Sequence, residues 1–249
     1  MSGHSKWSTI KRKKAKTDQE RGRVFTRLTK ELTIAARHGG GDADSNPRLR
    51  SAVDAARKAN MPMDNIKKAI QKGTGELPGV SYEESSYEGY GPGGVAIYLE
   101  TLSDNKNRTV AEIRHLFSKH SGNLGENGSV SWMFQRVGQI SVPRGRTEED
   151  SLLSLALDAG ASDVATEEGQ FVVTTEFNRL YDVKAELEKG GVEVAEAAVV
   201  MVPQNTIKLD GKPAEQLLRL MEALEEHDDV QNVYANFDID ESVMEQFDR

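Results

Sequence analysis

Apolar residues recur three and four apart through Val24, Phe25, Leu28, Leu32 and Ala35, the spacing of one helix face. Thr17 followed three residues later by Glu20 has the form of a capping box, so this helix is expected to start there. Gly39-Gly40-Gly41 ends it. Asn46-Pro47 opens a second helix, with proline in the first turn, and Leu49, Ala52, Val53 and Ala56 form its apolar stripe. Pro62 opens a third, with Ile66, Ala69 and Ile70 inside and Gly73 at its end. Residues 17–73 are therefore expected to form a small helical bundle, and the turn-rich stretch 74–81 a linker.

Beyond the linker the period changes. Val95 to Glu100 has the pattern of a buried strand, Thr109 opens a helix carrying Val110, Ile113, Leu116 and Phe117, and Val130 to Phe134 has the pattern of another strand. From residue 137 the expected succession is strand (138–142), helix (148–159), strand (163–166), strand (171–175), helix (178–189) and strand (192–202). That βαββαβ order is the ferredoxin-like plait. A helix over 213–226 and a strand over 230–237 follow. Residues 82–135 supply only part of a second plait, which the C-terminal helix and strand complete. The fold class expected is α+β: an N-terminal helical bundle followed by two ferredoxin-like α/β domains, one inserted in the other. The boundaries are 1–78 for the basic helical domain with its arm, 79–136 plus 204–249 for a discontinuous α/β domain, and 137–203 for the inserted one.

Charge sharpens this division. Residues 1–75 hold 18 lysines and arginines against 7 aspartates and glutamates; the other 174 residues hold 14 against 33. Such asymmetry points to a cationic part that meets a polyanion, attached to an acidic body. The run Lys11-Arg12-Lys13-Lys14-Ala15-Lys16 directs charge all round a helix and buries no face, so it is expected to be a solvated arm or a helix exposed all round. Several cations acting together bind phosphate strongly through counterion release. The candidates are Lys6, Lys11, Arg12, Lys13, Lys14, Lys16, Arg21 and Arg23, joined by Arg48, Arg50, Lys67 and Lys68 on the bundle's solvent faces. The plainer alternative is a solubilising tail. Trp7 lies among the arm cations and has two readings: stacking on a base or sugar, or anchoring the arm onto the bundle.

Other motifs exclude more than they indicate. The chain has no cysteine, which removes disulfides, thiolate nucleophiles and cysteine-based metal sites and fits a reducing, cytoplasmic setting. No apolar run approaches the ~20 residues of a membrane helix, and the N-terminal charges precede no apolar secretory segment; charge alone leaves a mitochondrial transit peptide open. Tyr87-Glu88-Gly89-Tyr90-Gly91-Pro92-Gly93-Gly94 has the composition of a phosphate loop but leads into a strand, and Glu88 puts negative charge where phosphate belongs, so a hairpin turn is expected. The segment Asp104-Asn105-Lys106-Asn107-Arg108 before Thr109 has two open readings, a helix-capping loop or a contact surface for RNA or protein. The five histidines are scattered, His115 and His120 five apart, so no metal or other cofactor is expected. Neither a nucleophile elbow nor a Walker lysine loop occurs, and no catalytic residue is expected.

Several spaced blocks resemble the YebC/PmpR family. They are Gly3-His4-Ser5-Lys6-Trp7 with the lysine-rich run, Gly39-Gly40-Gly41-Asp42, Asn46-Pro47-Arg48-Leu49-Arg50 and Asn60-Met61-Pro62. Tyr87 to Gly94, Asp104 to Thr109 and Gly122-Asn123-Leu124-Gly125 continue the likeness over nearly the whole chain. Lys106 stands where members often carry arginine, which keeps the charge. The resemblance implies three domains, one helical and two α/β, and a regulator of gene expression. Some members are labelled DNA-binding transcriptional regulators. Others, a mitochondrial translational activator among them, act on the ribosome and assist synthesis of proline-rich stretches. The expected partner is thus nucleic acid, DNA or ribosomal RNA, with a protein partner for the acidic domains and no membrane. A third reading makes those acidic domains a protein- or ligand-sensing module.

Overall fold

The computed structural model describes Trp7 and residues 18–145, 147–167 and 169–247. The arm candidates Lys6, Lys11, Arg12, Lys13, Lys14 and Lys16, and the Thr17 cap, lie outside the described residues. The chain forms two compact units, one of residues 134–204 and one of the residues before and after it.

The larger unit begins with three helices, α1 (Asp18–Gly39), α2 (Pro47–Lys58) and α3 (Met63–Thr74). Their apolar stripes meet in one core containing Leu32, Ala35, Leu49, Ala52, Val53, Ala56, Ile66 and Ala69. Asn46 caps α2, accepting from Leu49 N at 3.1 Å. Its buried amide also donates to the carbonyls of Ala35 and Gly40 at 2.8 and 2.9 Å, so one side chain ends α1 and starts α2.

The same unit continues with β1 (Glu83–Tyr90), β2 (Ala96–Ser103), α4 (Lys106–Lys119) and the short β3 (Asn123–Leu124). A 3-10 turn at Pro92–Gly94 closes the β1–β2 hairpin, with Tyr90 opposite Ala96. The strand expected over 130–134 is absent: Ser131–Met133 is a 3-10 turn, and β4 (Phe134–Pro143) starts where that strand was expected to end. The strand on the β1 edge is instead β3, too short to carry a hydrophobic period. After the inserted unit come β8 (Ile207–Lys208), α7 (Gly211–Glu225), β9 (Val230–Ala235), β10 (Phe237–Asp238) and α8 (Glu241–Phe247). The sheet order is β3-β1-β2-β9, and β8 pairs with β10 in parallel. Ile97, Leu99, Ile113, Phe117, Leu217 and Met221 form the centre of a core shared by this sheet, α4 and α7.

The smaller unit runs β4, α5 (Glu149–Ala159), β5 (Asp163–Glu167), β6 (Gln170–Glu176), α6 (Leu180–Lys189) and β7 (Glu196–Pro203), a βαββαβ succession. Its antiparallel sheet has the order β5-β6-β4-β7, and Ile140, Val173, Leu152, Leu180 and Val183 lie in its core. The strand expected from 192 begins only at Glu196. Among the described residues no helix is long and apolar enough to cross a membrane.

Candidate nucleic-acid interface

Trp7 is fully buried among the residues of the α/β core. Its indole N–H donates to Glu225 Oε1 at 2.9 Å, and its ring tilts against Phe247 with centroids 6.0 Å apart. The indole is therefore not presented to a base. It anchors the chain, as the second reading had it, but onto the α/β core instead of the helical bundle.

The bundle cations fall into two groups. Arg23 pairs with Glu226 at 2.8 Å. Arg48 donates to Glu31 through Nε at 2.6 Å and to Glu84 through Nη2 at 2.7 Å. Burial disfavours the charged guanidinium, but these two carboxylates outweigh it and raise its pKa above the ordinary value. Arg50 donates to the carbonyls of Ala43 and Asp44 while remaining exposed, and Arg21 is exposed. Lys67 and Lys68 differ. They stand exposed on α3 with Lys72, and among the described residues none of the three forms an ion pair. Ile66 and Ala69 bury the opposite side of that helix. At ~100° per residue, positions 67, 68 and 72 share one arc of the helix surface.

The segment 104–108 is built largely into the fold. Asn105 caps α4 by accepting from Arg108 N at 3.1 Å. Lys106 pairs with Glu83 at 2.8 Å, and Asn107 is exposed. Arg108 reaches Asp104 at 2.9 Å and Asp229 at 2.8 Å. Asp229, which in sequence reads with Asp228 as a solvated acidic exit from a helix, is instead buried and is the centre of this arrangement. Its carboxylate meets Lys30 from α1 at 2.6 Å and the Thr109 hydroxyl at 2.7 Å, while Ser103 donates at 3.2 Å. Burial would raise its pKa, yet Lys30, Arg108 and Thr109 prevail and hold the carboxyl far below the usual range. A local signal for it was lacking, because Lys30 and Asp229 are 199 positions apart.

Glu112, His227 and Asp229 bring potential ligand atoms within 4.8 Å of one another. That set fits a cation poorly. Lys30 and Arg108 already occupy Asp229, and His227 uses Nε2 toward Glu112 at 2.9 Å and Nδ1 to accept from Asp229 N at 3.1 Å. The cluster serves as an ion-pair network that ties α1 to the α/β core.

Two family models match the chain: one described as the TACO1/YebC protein N-terminal domain over residues 5–76, and one described as the TACO1/YebC second and third domain over residues 82–237. The chain belongs to the TACO1/YebC family. Relatives at this level include a probable transcriptional regulatory protein of Syntrophus aciditrophicus, 58% identical over 98% of both chains. Another, of the same description, from Pelotomaculum thermopropionicum is 57% identical over 97% of this chain and 100% of its own. A crystal structure of a conserved hypothetical protein from Aquifex aeolicus is 47% identical, covers 91% of this chain and 93% of its own, and superposes with a TM-score of 0.83. The family's N-terminal model thus spans the cationic arm and the three helices, and its second model the sheet units.

Proposed function

We propose that this chain is a non-enzymatic regulator of gene expression that grips nucleic acid by the cationic surface of its first third. The observation that carries the reading is the α3 face: among the described residues Lys67, Lys68 and Lys72 stand exposed and without carboxylate partners, while Arg23 and Arg48 are taken up by carboxylates of the fold. The arm cations Lys11, Arg12, Lys13 and Lys14 continue the same excess in sequence. Relatives described as probable transcriptional regulatory proteins support regulation as the role. Asp229 and Glu88 support a non-catalytic reading, because each is a buried carboxylate filled by several donors that tie elements together. Phosphate contacts position a protein on nucleic acid without reading sequence, so site selection comes from other surfaces or partners. The setting that fits is the cytoplasm, with duplex DNA as the first target and ribosomal RNA, in a translation factor, as the second.

The test is binding of the full chain to labelled duplex DNA and to ribosomal RNA fragments across a salt series. Each phosphate neutralised contributes roughly 0.9 to the slope of log affinity against log salt on duplex DNA. Replacing Lys67, Lys68 and Lys72 by Ala is expected to flatten the slope by up to about three such contacts, and replacing Lys11, Arg12, Lys13 and Lys14 by up to about four. Slopes unchanged in both variants refute the cationic grip. The ligand that binds more tightly at physiological salt decides between the transcriptional and the ribosomal reading.

A further inference from the structure

Trp132 is the most exposed of the exposed large hydrophobic residues, at 67%. It stands on the segment between β3 and β4, and several hydrogen bonds tie that segment to β1. Glu88 on β1, only 4% exposed, receives three backbone N–H bonds from it: Gly128 at 2.8 Å, Val130 at 2.7 Å and Ser131 at 2.8 Å. Burial raises this carboxyl, but the N–H donors outweigh burial and hold it below its ordinary value. The Ser129 carbonyl accepts from Tyr90 OH at 2.9 Å and from the Trp132 indole N–H at 3.1 Å. A Cβ on Gly89 would stand 2.6 Å from Asn123 O, and one on Gly125 would stand 2.6 Å from Ser129 Oγ, so glycine alone permits the backbone to seat this closely. A buried carboxylate is costly unless its lone pairs are filled. Here that cost is met by fixing the backbone that displays an aromatic ring to solvent.

We propose that the segment Gly125–Met133 is a second nucleic-acid contact, in which Trp132 is a stacking platform for one unpaired base. This deepens the proposed function and rests on it. The indole N–H is already used within the chain, which leaves the ring's face as the available surface. Asn123, Glu126 and Asn127, exposed on the same stretch of chain, are polar. Lys119, the last residue of α4, and Arg219 on α7 are exposed close to His120, three residues before β3; burial first, then these two cations, keep the His120 imidazole low. An exposed aromatic face on a segment that follows a cationic helix end suits a base and its phosphate. Bases within a duplex already stack on one another, so the occupant is a single strand or an RNA loop.

The test uses the full chain with an unstructured uridine oligonucleotide and, separately, duplex DNA. Trp132→Ala is expected to weaken oligonucleotide binding roughly 5- to 100-fold, as loss of one base–aromatic stack does. Its salt slope stays unchanged because no charge is removed. Trp132→Phe retains part of the affinity. The chain has two tryptophans and Trp7 is buried, so quenching of exposed indole emission on binding reports Trp132 and vanishes in Trp132→Phe. If Trp132→Ala binds the oligonucleotide as tightly as the unsubstituted chain while the α3 lysine variant still flattens the salt slope, the platform is refuted and the phosphate grip stands. A protein-only role for the ring gives that same unchanged affinity. If neither nucleic acid binds at all, the proposed function falls and the platform with it.

Discussion

Asp229 is 3% exposed, with a lysine, an arginine and two hydroxyls arranged about its carboxylate. Lys30 is itself buried and has Asp229 as its ion-pair partner, with the Asp228 carbonyl as a second acceptor at 2.9 Å. Replacing the carboxylate by an amide leaves an uncompensated ammonium in the interior. Asp229→Asn is therefore expected to lower unfolding stability by about 3–5 kcal/mol, read from the urea midpoint. The exposed neighbour Asp228, changed to Asn, is the control and should move the midpoint little. Glu88 shows the same logic with backbone donors in place of cations. In the sequence its charge argued against a phosphate loop; in the fold that charge is the anchor of a neighbouring segment.

At the level of elements, much of the chain was legible because helix and strand periods are local. The stripe through Leu28, Leu32 and Ala35, the Asn46-Pro47 start and the alternation around Ile140 all reflect contacts within one or two turns or along one strand. Asn46 also shows where such legibility stops. The sequence marks it as a helix start; that the same amide holds two carbonyls at the end of α1 follows only when the helices meet. Asn46→Ala removes a cap and orphans those carbonyls, so a loss of roughly 1–3 kcal/mol is expected in thermal or urea unfolding. The strand expected at 130–134 went the other way. Val130 is apolar and buried, but its N–H is taken by Glu88 instead of a ladder partner, which turns the backbone into a 3-10 segment.

At the level of the whole molecule, two buried carboxyls with depressed folded-state pKa values make stability depend on acid. Asp229 and Glu88 contribute stability that is complete above their unfolded pKa values, about 4, and is lost as pH falls through the folded ones. Stability measured by urea unfolding should therefore fall as pH drops below about 4. In Asp229→Asn that fall should be shallower, because one linked proton has been removed. An equally steep decline in the variant would show that other carboxyls govern the acid response.

The amino-acid order alone determined the succession of elements, the three-helix start, the α+β class and the concentration of positive charge in the first third. Each of these depends on residues a few positions apart, or on a count. Which cations remain available was decided only in three dimensions. Arg23 meets Glu226 and Lys30 meets Asp229 across about 200 positions, and Arg48 meets Glu84 across 36. Trp7 went to the α/β core by the same kind of long-range contact, 218 positions from Glu225. Coulomb attraction and burial act through space without regard to separation along the chain, so the partners that neutralise a charge or cover a ring emerge only when the fold brings them within a few ångströms.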